Sequence, residues 1–234
     1  MPPPAAITAW PVPADVKDVI LVGGTFDPPH KAHIELPVLI RGNSPASLLR
    51  NAWLLFIPAA RSPLKSNAPR ASGRDRTRML ELALNGFSNA TVWTDELDRD
   101  IGTRSFTVDT VTRAGLVAPP GTRFRLFLGA DQAVAFHTWA EFRTLLALAP
   151  PLVALRPPVA TVDSLLMALR QTNAWNKDEL ERWRASCEST VLDSSSSTDV
   201  RDAIARDDWS AARHLLHEPV FEFVRQRGLY TVKE

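Results

Sequence analysis

Val19-Ile20-Leu21-Val22-Gly23-Gly24-Thr25-Phe26-Asp27-Pro28-Pro29-His30-Lys31-Ala32-His33 is the stretch from which the rest of the chain is read. Val19 to Val22 is a short apolar, β-branched run, the pattern of a buried strand. Gly23-Gly24 ends it, and glycines there let backbone N–H groups approach a ligand with no Cβ in the way. Asp27-Pro28-Pro29 makes a sharp turn. His30 and His33 follow three apart, so one helical turn sets both imidazoles on one side. A strand, a glycine turn and two donors at a helix start describe a phosphate site at the carboxyl edge of a sheet. The stretch is neither the Gly-x-Gly-x-x-Gly dinucleotide fingerprint nor a Walker P-loop. Its bland readings are a strand-turn-helix with two surface histidines, or a metal pair.

Outward from this stretch, apolar runs alternate with helical patterns. The strand candidates are Val19–Val22, Trp53–Ile57, Ala90–Trp93, Phe124–Leu128, Leu152–Leu155 and Thr190–Leu192. Between them lie helix candidates at Ile34–Arg41, Gly73–Gly86, Ser105–Gly115, Thr138–Ala149, Val162–Gln171 and Thr198–Ala205. This alternation predicts an α/β fold, a Rossmann-like doubly wound parallel sheet. Pro37 inside a helix costs about 3 kcal/mol, so its helix is expected to begin near Ala32–Ile34 or to kink. Trp209 to Gly228 predicts two short C-terminal amphipathic helices, with Leu215, Leu216, Val220, Phe221 and Val224 as the apolar face. His214 and His217 share a helical spacing there and are expected to act near a helix end.

At 234 residues and 45% hydrophobic content, one medium domain is expected over residues 15–234, with 206–230 as its C-terminal helical part. Residues 1–14, with five prolines in the first thirteen positions, predict a flexible tail. It has no basic residue and no long apolar centre, unlike a signal peptide. A net charge of +1 offers no bulk field for nucleic acid or membrane, and no run is long enough to span a bilayer. The single cysteine, Cys187, excludes an internal disulfide and suits a reducing, cytoplasmic setting. Composition leaves the oligomeric state open.

A second motif, Ser194-Ser195-Ser196-Ser197-Thr198-Asp199-Val200-Arg201, follows the last strand. Hydroxyls before an apolar-periodic run are helix amino-caps, and Ser196 with Asp199 matches a capping box. A helix amino-terminus with several hydroxyls and an arginine one turn in is also an anion site.

The first motif resembles that of the nucleotidylyltransferase superfamily, and in Gly23-Gly24-Thr25-Phe26-Asp27-Pro28-x-His30-x-x-His33 it is most similar to the nicotinate mononucleotide adenylyltransferases. Ala32 stands where that family has glycine. Ser196, Ser197, Thr198 and Arg201 match the superfamily's Ile-Ser-Ser-Thr-x-x-Arg, with Ser195 in place of isoleucine. Arg76-Thr77-Arg78-Met79-Leu80-Glu81-Leu82-Ala83 resembles the family's arginine-led helix, and otherwise reads as a core-facing amphipathic helix. Ser105-Phe106-Thr107 with Asp109-Thr110 resembles its Ser-Tyr-Thr segment, whose backbone N–H groups grip a pyridine carboxylate. Gly129-Ala130-Asp131 resembles a Gly-x-Asp that faces the nucleotide. His137-Thr138-Trp139 resembles a Thr-Trp whose indole stacks on the pyridine; Trp139 also reads as a core residue. Two places depart: Ala59-Ala60 where asparagines are frequent, and Pro63-Leu64-Lys65 where a histidine precedes the basic residue.

The resemblance, which spans roughly residues 19–230, implies transfer of AMP from ATP to the 5′-phosphate of nicotinate mononucleotide, giving nicotinate adenine dinucleotide and pyrophosphate. It implies His30, His33 and Arg201 as the groups acting on the phosphates. Gly23, Gly24, Thr25, Phe26, Gly129, Asp131, Ser196, Ser197 and Thr198 would bind ATP. Lys65, Ser105, Thr107 and Trp139 would bind the acceptor. Mg²⁺ is expected to arrive on the triphosphate rather than in a protein cage. Other readings are a different acceptor (nicotinamide mononucleotide or phosphopantetheine), a non-catalytic nucleotide-binding module, and a His-x-x-His metal protein, which lacks further ligands at a sensible spacing.

Overall fold

The computed structural model describes residues 6–43, 47–60, 68–99, 105–189 and 196–232. Lys65, Ser195 and the strand expected at Thr190–Leu192 lie outside them. Six strands are described: β1 (Asp18–Gly24), β2 (Trp53–Pro58), β3 (Ala90–Val92), β4 (Arg123–Gly129), β5 (Pro151–Leu155) and β6 (Cys187–Ser189). They form one parallel sheet in the order β3-β2-β1-β4-β5-β6. The helices are α1 (Lys31–Asn43), α2 (Ser47–Arg50), α3 (Gly73–Leu84), α4 (Asp95–Asp98), α5 (Thr107–Val117), α6 (Ala130–Ala135), α7 (Phe142–Leu148), α8 (Val162–Gln171), α9 (Lys177–Ala185), α10 (Ser197–Ala205), α11 (Trp209–Leu215) and α12 (Glu218–Gln226).

The near-continuous apolar reading of β1 and β2 follows from burial on both faces. In β1, Ile20 and Val22 join a core with Met79, Leu80, Val200, Val220 and Phe221. Val19 and Leu21 point the other way, into a core with Val108, Val111, Leu145, Leu165 and Trp183. Successive strand side chains alternate faces, so one short run nucleates both layers of a doubly wound fold. α11 and α12 complete the first layer, with Leu216, Val220, Phe221 and Val224 all buried.

Several expectations need correction. Residues 6–13 are not a free tail. Trp10 packs edge-on against Trp93 with ring centroids 5.6 Å apart, Val12 is buried, and the Thr8 N–H donates to Asp95 Oδ1 at 2.9 Å. A large aromatic anchors a proline-rich segment that composition alone makes look loose. α1 starts at Lys31 and carries Pro37 in its interior rather than its first turn. The single helix expected over Thr138–Ala149 is instead a 3₁₀ turn at Phe136–Thr138 followed by α7, because Trp139 is extended and Glu141 is left-handed at φ 47°. The last described strand, Cys187–Ser189, was not foreseen. α9 was not foreseen, although Asn176 and Glu179 form the capping box that begins it.

Candidate active site

β1 and β4 lie side by side, while the chain leaves β1 towards β2 and β4 towards β5. The loops beyond their carboxyl ends therefore diverge, opening the crevice that doubly wound sheets use for ligands. Gly23 and Gly24 end β1 there, and Gly129 ends β4.

The two glycines differ in role. A Cβ on Gly23 would meet nothing within 4 Å, so its backbone is approachable. A Cβ on Gly24 would lie 2.9 Å from the Phe26 ring, which folds back over it with Phe26 at φ 51°. Phe26 is thus a buried wedge, and it packs edge-on against His33 with ring centroids 5.2 Å apart. His30 and His33 are brought together, their ring centroids 3.7 Å apart. The His30 N–H donates to His33 Nδ1 at 3.3 Å. A neutral His33 therefore carries its proton on Nε2.

Asp27 shapes the turn between strand and histidines. Its buried carboxylate accepts from the N–H of Arg70 at 2.8 Å, the N–H of Ala71 at 3.0 Å and the hydroxyl of Tyr230 at 2.8 Å. The second motif grips the same turn by its backbone. Arg201 Nη1 donates to the Asp27 carbonyl at 2.7 Å, and Ser197 Oγ donates to the Pro28 carbonyl at 2.9 Å. Arg201 Nη2 also donates to Thr198 Oγ1 at 2.9 Å. Ser196 is the amino-cap of α10, in a capping box with Asp199. The capping reading of the serine run holds for Ser196, while Ser197, Thr198 and Arg201 join the two motifs.

Arg76, in a helix otherwise facing the core, is 2% exposed. Its Nη1 donates to the carbonyls of Thr25 at 2.7 Å and Ala59 at 2.8 Å, fastening the first loop to the end of β2. Near the start of α5, Glu96 does similar work. Its buried carboxylate accepts from Thr110 Oγ1 at 2.6 Å and also bonds the Ala60 N–H and the Ser105 hydroxyl. Burial pushes its pKa up against those bonds. Thr107 opens α5 behind Phe106, whose side chain makes no capping hydrogen bond. Trp139 packs on Phe136 with centroids 5.1 Å apart, and its indole N–H has no partner among the described residues. Gly129 lets Asp131 fold close: a Cβ there would sit 2.7 Å from Asp131 Oδ1, which pairs with Arg156 Nη2 at 2.8 Å. A cavity of about 1250 Å³ opens elsewhere, between α3, α4 and α12; neither histidine, nor Asp131, nor Arg201 lines it. Converging polar groups rather than cavity size mark the site.

Arg156, Glu96 and Tyr230 were missed as site components, and Arg76 was singled out only as the head of an arginine-led helix. Arg156 had a usable signal, since it directly follows a buried strand at the carboxyl edge. The others are revealed only by long-range contacts.

His30 is 5% exposed, and its pKa is lowered from 6.5 to about 4, by burial first and then by Arg156, with Asp199 opposing. It is therefore neutral at pH 7, a hydrogen-bond donor without a charge. Between pH 6.5 and about 4 the unfolded chain binds a proton that the folded chain refuses. The His30 contribution is whole above 6.5, is lost as pH falls through this window by up to about 3 kcal/mol, and levels off below it. Urea unfolding of the wild type and of His30→Gln, each at about pH 7 and about pH 5, is expected to show the steeper loss in the wild type.

Among the described residues no group of three or more His, Cys, Asp or Glu side chains could hold a metal ion. Nor is any described helix long and apolar enough to cross a membrane.

A cytidylyltransferase-like family model matches residues 21–203. The chain is 31% identical over 220 residues to a probable nicotinate-nucleotide adenylyltransferase of Bordetella parapertussis, covering 90% of this chain and 96% of the relative. It is 32% identical over 215 residues to one from Bordetella petrii, covering 92% and 100%. Among solved structures, the Plasmodium falciparum nicotinic acid mononucleotide adenylyltransferase complexed with NaAD superposes with a TM-score of 0.65 at 18% identity, covering 92% of this chain and 97% of that one. That likeness bears out the Rossmann-like parallel fold.

Proposed function

The chain belongs to the nicotinate-nucleotide adenylyltransferase family of cytidylyltransferase-like proteins, and from that premise we propose that it transfers AMP from ATP to the 5′-phosphate of nicotinate mononucleotide. One observation supports this reading above the rest: the Asp27-Pro28 turn, which delivers His30 and His33, is held through its carbonyls by Ser197 and Arg201 of the second motif. Two donor sets distant in sequence are thereby assembled at one turn.

In the reaction, an oxygen of the acceptor phosphate forms a bond to the α-phosphorus of ATP. The bond from that phosphorus to the bridging oxygen of the β-phosphate breaks, and pyrophosphate leaves with the electron pair. A phosphate monoester with a second pKa near 6 is already ionised at neutral pH, so no general base is required. The protein's task is alignment and charge stabilisation. His30 and His33 donate to the α- and β-phosphate oxygens as charge moves onto them. Ser197, Thr198 and Arg201 hold the β- and γ-phosphates. Arg201 spreads its bonds to Asp27 and Thr198 over two nitrogens of a guanidinium that carries five N–H groups. Gly23, Gly24, Thr25 and Phe26 form the floor under the nucleotide, with Gly129, Asp131 and the amino-cap Ser196 at its rim. The first amides of α5 at Thr107, braced by Ser105, receive the pyridine carboxylate, and Trp139 stacks on the ring. Lys65, outside the described residues, is assigned to the acceptor phosphate.

Mg²⁺ carried in on ATP would neutralise triphosphate charge; Asp131 is paired with Arg156 and Asp199 is engaged by Ser196, so the ion would be held by the nucleotide rather than by these carboxylates. With one cysteine and bacterial relatives, the enzyme is assigned to the cytoplasm.

Pyrophosphate release from ATP and Mg²⁺ tests the reading, with nicotinate mononucleotide, nicotinamide mononucleotide and phosphopantetheine compared in parallel. Nicotinate mononucleotide is expected to give a kcat/KM at least about 10²-fold above either alternative, an amount that one well-made charged contact supplies. Comparable rates with the amide would remove the carboxylate role given to the α5 amides.

A further inference from the structure

We propose that Tyr230 is a positioning residue for the phosphate site, fastening the turn that follows α12 to the loop that carries His30 and His33. The inference rests on the adenylyl-transfer reading. It starts from the hydroxyl of Tyr230, which donates to Asp27 Oδ1 at 2.8 Å across 203 residues of sequence. Tyr230 is the chain's one tyrosine and is 7% exposed.

The turn is built to aim this side chain. Gly228 lies at φ 57° and Tyr230 itself at φ 68°, a left-handed conformation uncommon for a residue with a bulky side chain. The Gly228 N–H donates to the Arg225 carbonyl and the Leu229 N–H to the Val224 carbonyl, closing α12 and reversing the chain. Arg227 Nη2 binds Asp75 Oδ1 at 3.1 Å on the outer side, so the turn is moored to α3 independently of Tyr230.

Asp27 gains its third donor from this phenol. Burial and the neighbouring carboxylate push the phenol's pKa well up, so it remains a donor at every working pH. The turn is held by its carbonyls from Ser197 and Arg201 and by its carboxylate from Arg70, Ala71 and Tyr230. Phe26 precedes this clamp and His30 follows it by three residues. Loss of one clamp point lets the imidazoles move relative to the phosphorus, and displacements of about 1 Å cost up to about 10²-fold in rate.

The test uses the full chain. Tyr230→Phe removes the hydroxyl and keeps the ring. It is expected to lower kcat about 10-fold, leave KM for nicotinate mononucleotide within about twofold, and shift the His30 and His33 ring resonances in a ¹H–¹³C correlation spectrum. Arg227→Ala loosens the same turn away from Asp27 and is expected to leave kcat and both resonances unchanged at a comparable loss of thermal stability. Tyr230→Phe with wild-type kcat and unshifted histidines would overturn the proposal, as would equal kcat losses in the two variants. If the wild type turned over none of the acceptors, the functional reading would fail. The histidine resonances, read on folded protein, would still decide whether Tyr230 sets their position.

Discussion

His33→Ala is expected to lower kcat for pyrophosphate release by about 10²–10³-fold, the usual consequence of removing one preorganised donor from a developing anion. The structure shows why His33 is prepared for that role. Its Nδ1 already accepts the His30 N–H, so the neutral ring carries its proton on Nε2 without choosing between tautomers. Phe26 braces the ring edge-on, and Gly24 lacks the Cβ that would displace Phe26. The donor is thus oriented before substrate arrives, and little reorganisation is left for the transition state. KM for ATP is expected to change less than about tenfold, because the lost bond strengthens chiefly as charge moves to the leaving group. Single-turnover measurements should place the loss in the chemical step. A rise in KM with kcat retained would mean that His33 binds ground-state ATP only.

What could be read from the sequence divides along physical lines. Strands such as Val19–Val22 and Leu152–Leu155 are buried on both faces, so their hydrophobicity is continuous and their places emerge within a residue or two. Val162–Gln171 emerged with its bounds unchanged, because Thr161 caps it and its apolar stripe is regular. His30, His33, Ser197 and Arg201 stood out because each falls in a short motif of donors at close spacing, and the fold brings the two motifs to one turn. The misses have a common cause. Arg76 sits in a helix whose pattern points to the core, and only the fold shows that it reaches the Thr25 and Ala59 carbonyls. Glu96 lies in a single acidic turn, Asp95–Asp98, with no periodic signal, yet it bonds Ala60, Ser105 and Thr110. Trp10 makes residues 6–13 part of the core by packing on Trp93 and Phe124, which lie 83 and 114 positions away. Side chains that hold loops by long-range bonds leave no periodic trace.

Arg201→Lys is the sharper test of how the two motifs cooperate, with kcat/KM for ATP expected to fall about 10²-fold and with Arg201→Ala about 10³-fold. Lysine keeps the charge, so a site that needed only positive potential would tolerate it. The guanidinium does more: one nitrogen holds the Asp27 carbonyl at 2.7 Å while the other holds Thr198 Oγ1 at 2.9 Å. A single ammonium on a flexible stem cannot span both acceptors in one plane and still present donors to phosphate. Losing the first bond frees the turn that delivers His30; losing the second frees a hydroxyl assigned to the triphosphate. The loss should therefore appear in kcat as well as in KM for ATP, with KM for the acceptor little changed. The double variant His33→Ala/Arg201→Lys should lose much less than the product of the two single effects, because both act on one clamped turn. Independent, multiplicative losses would show instead that the two motifs serve separate phosphates and that the bond from Arg201 to Asp27 does not transmit position.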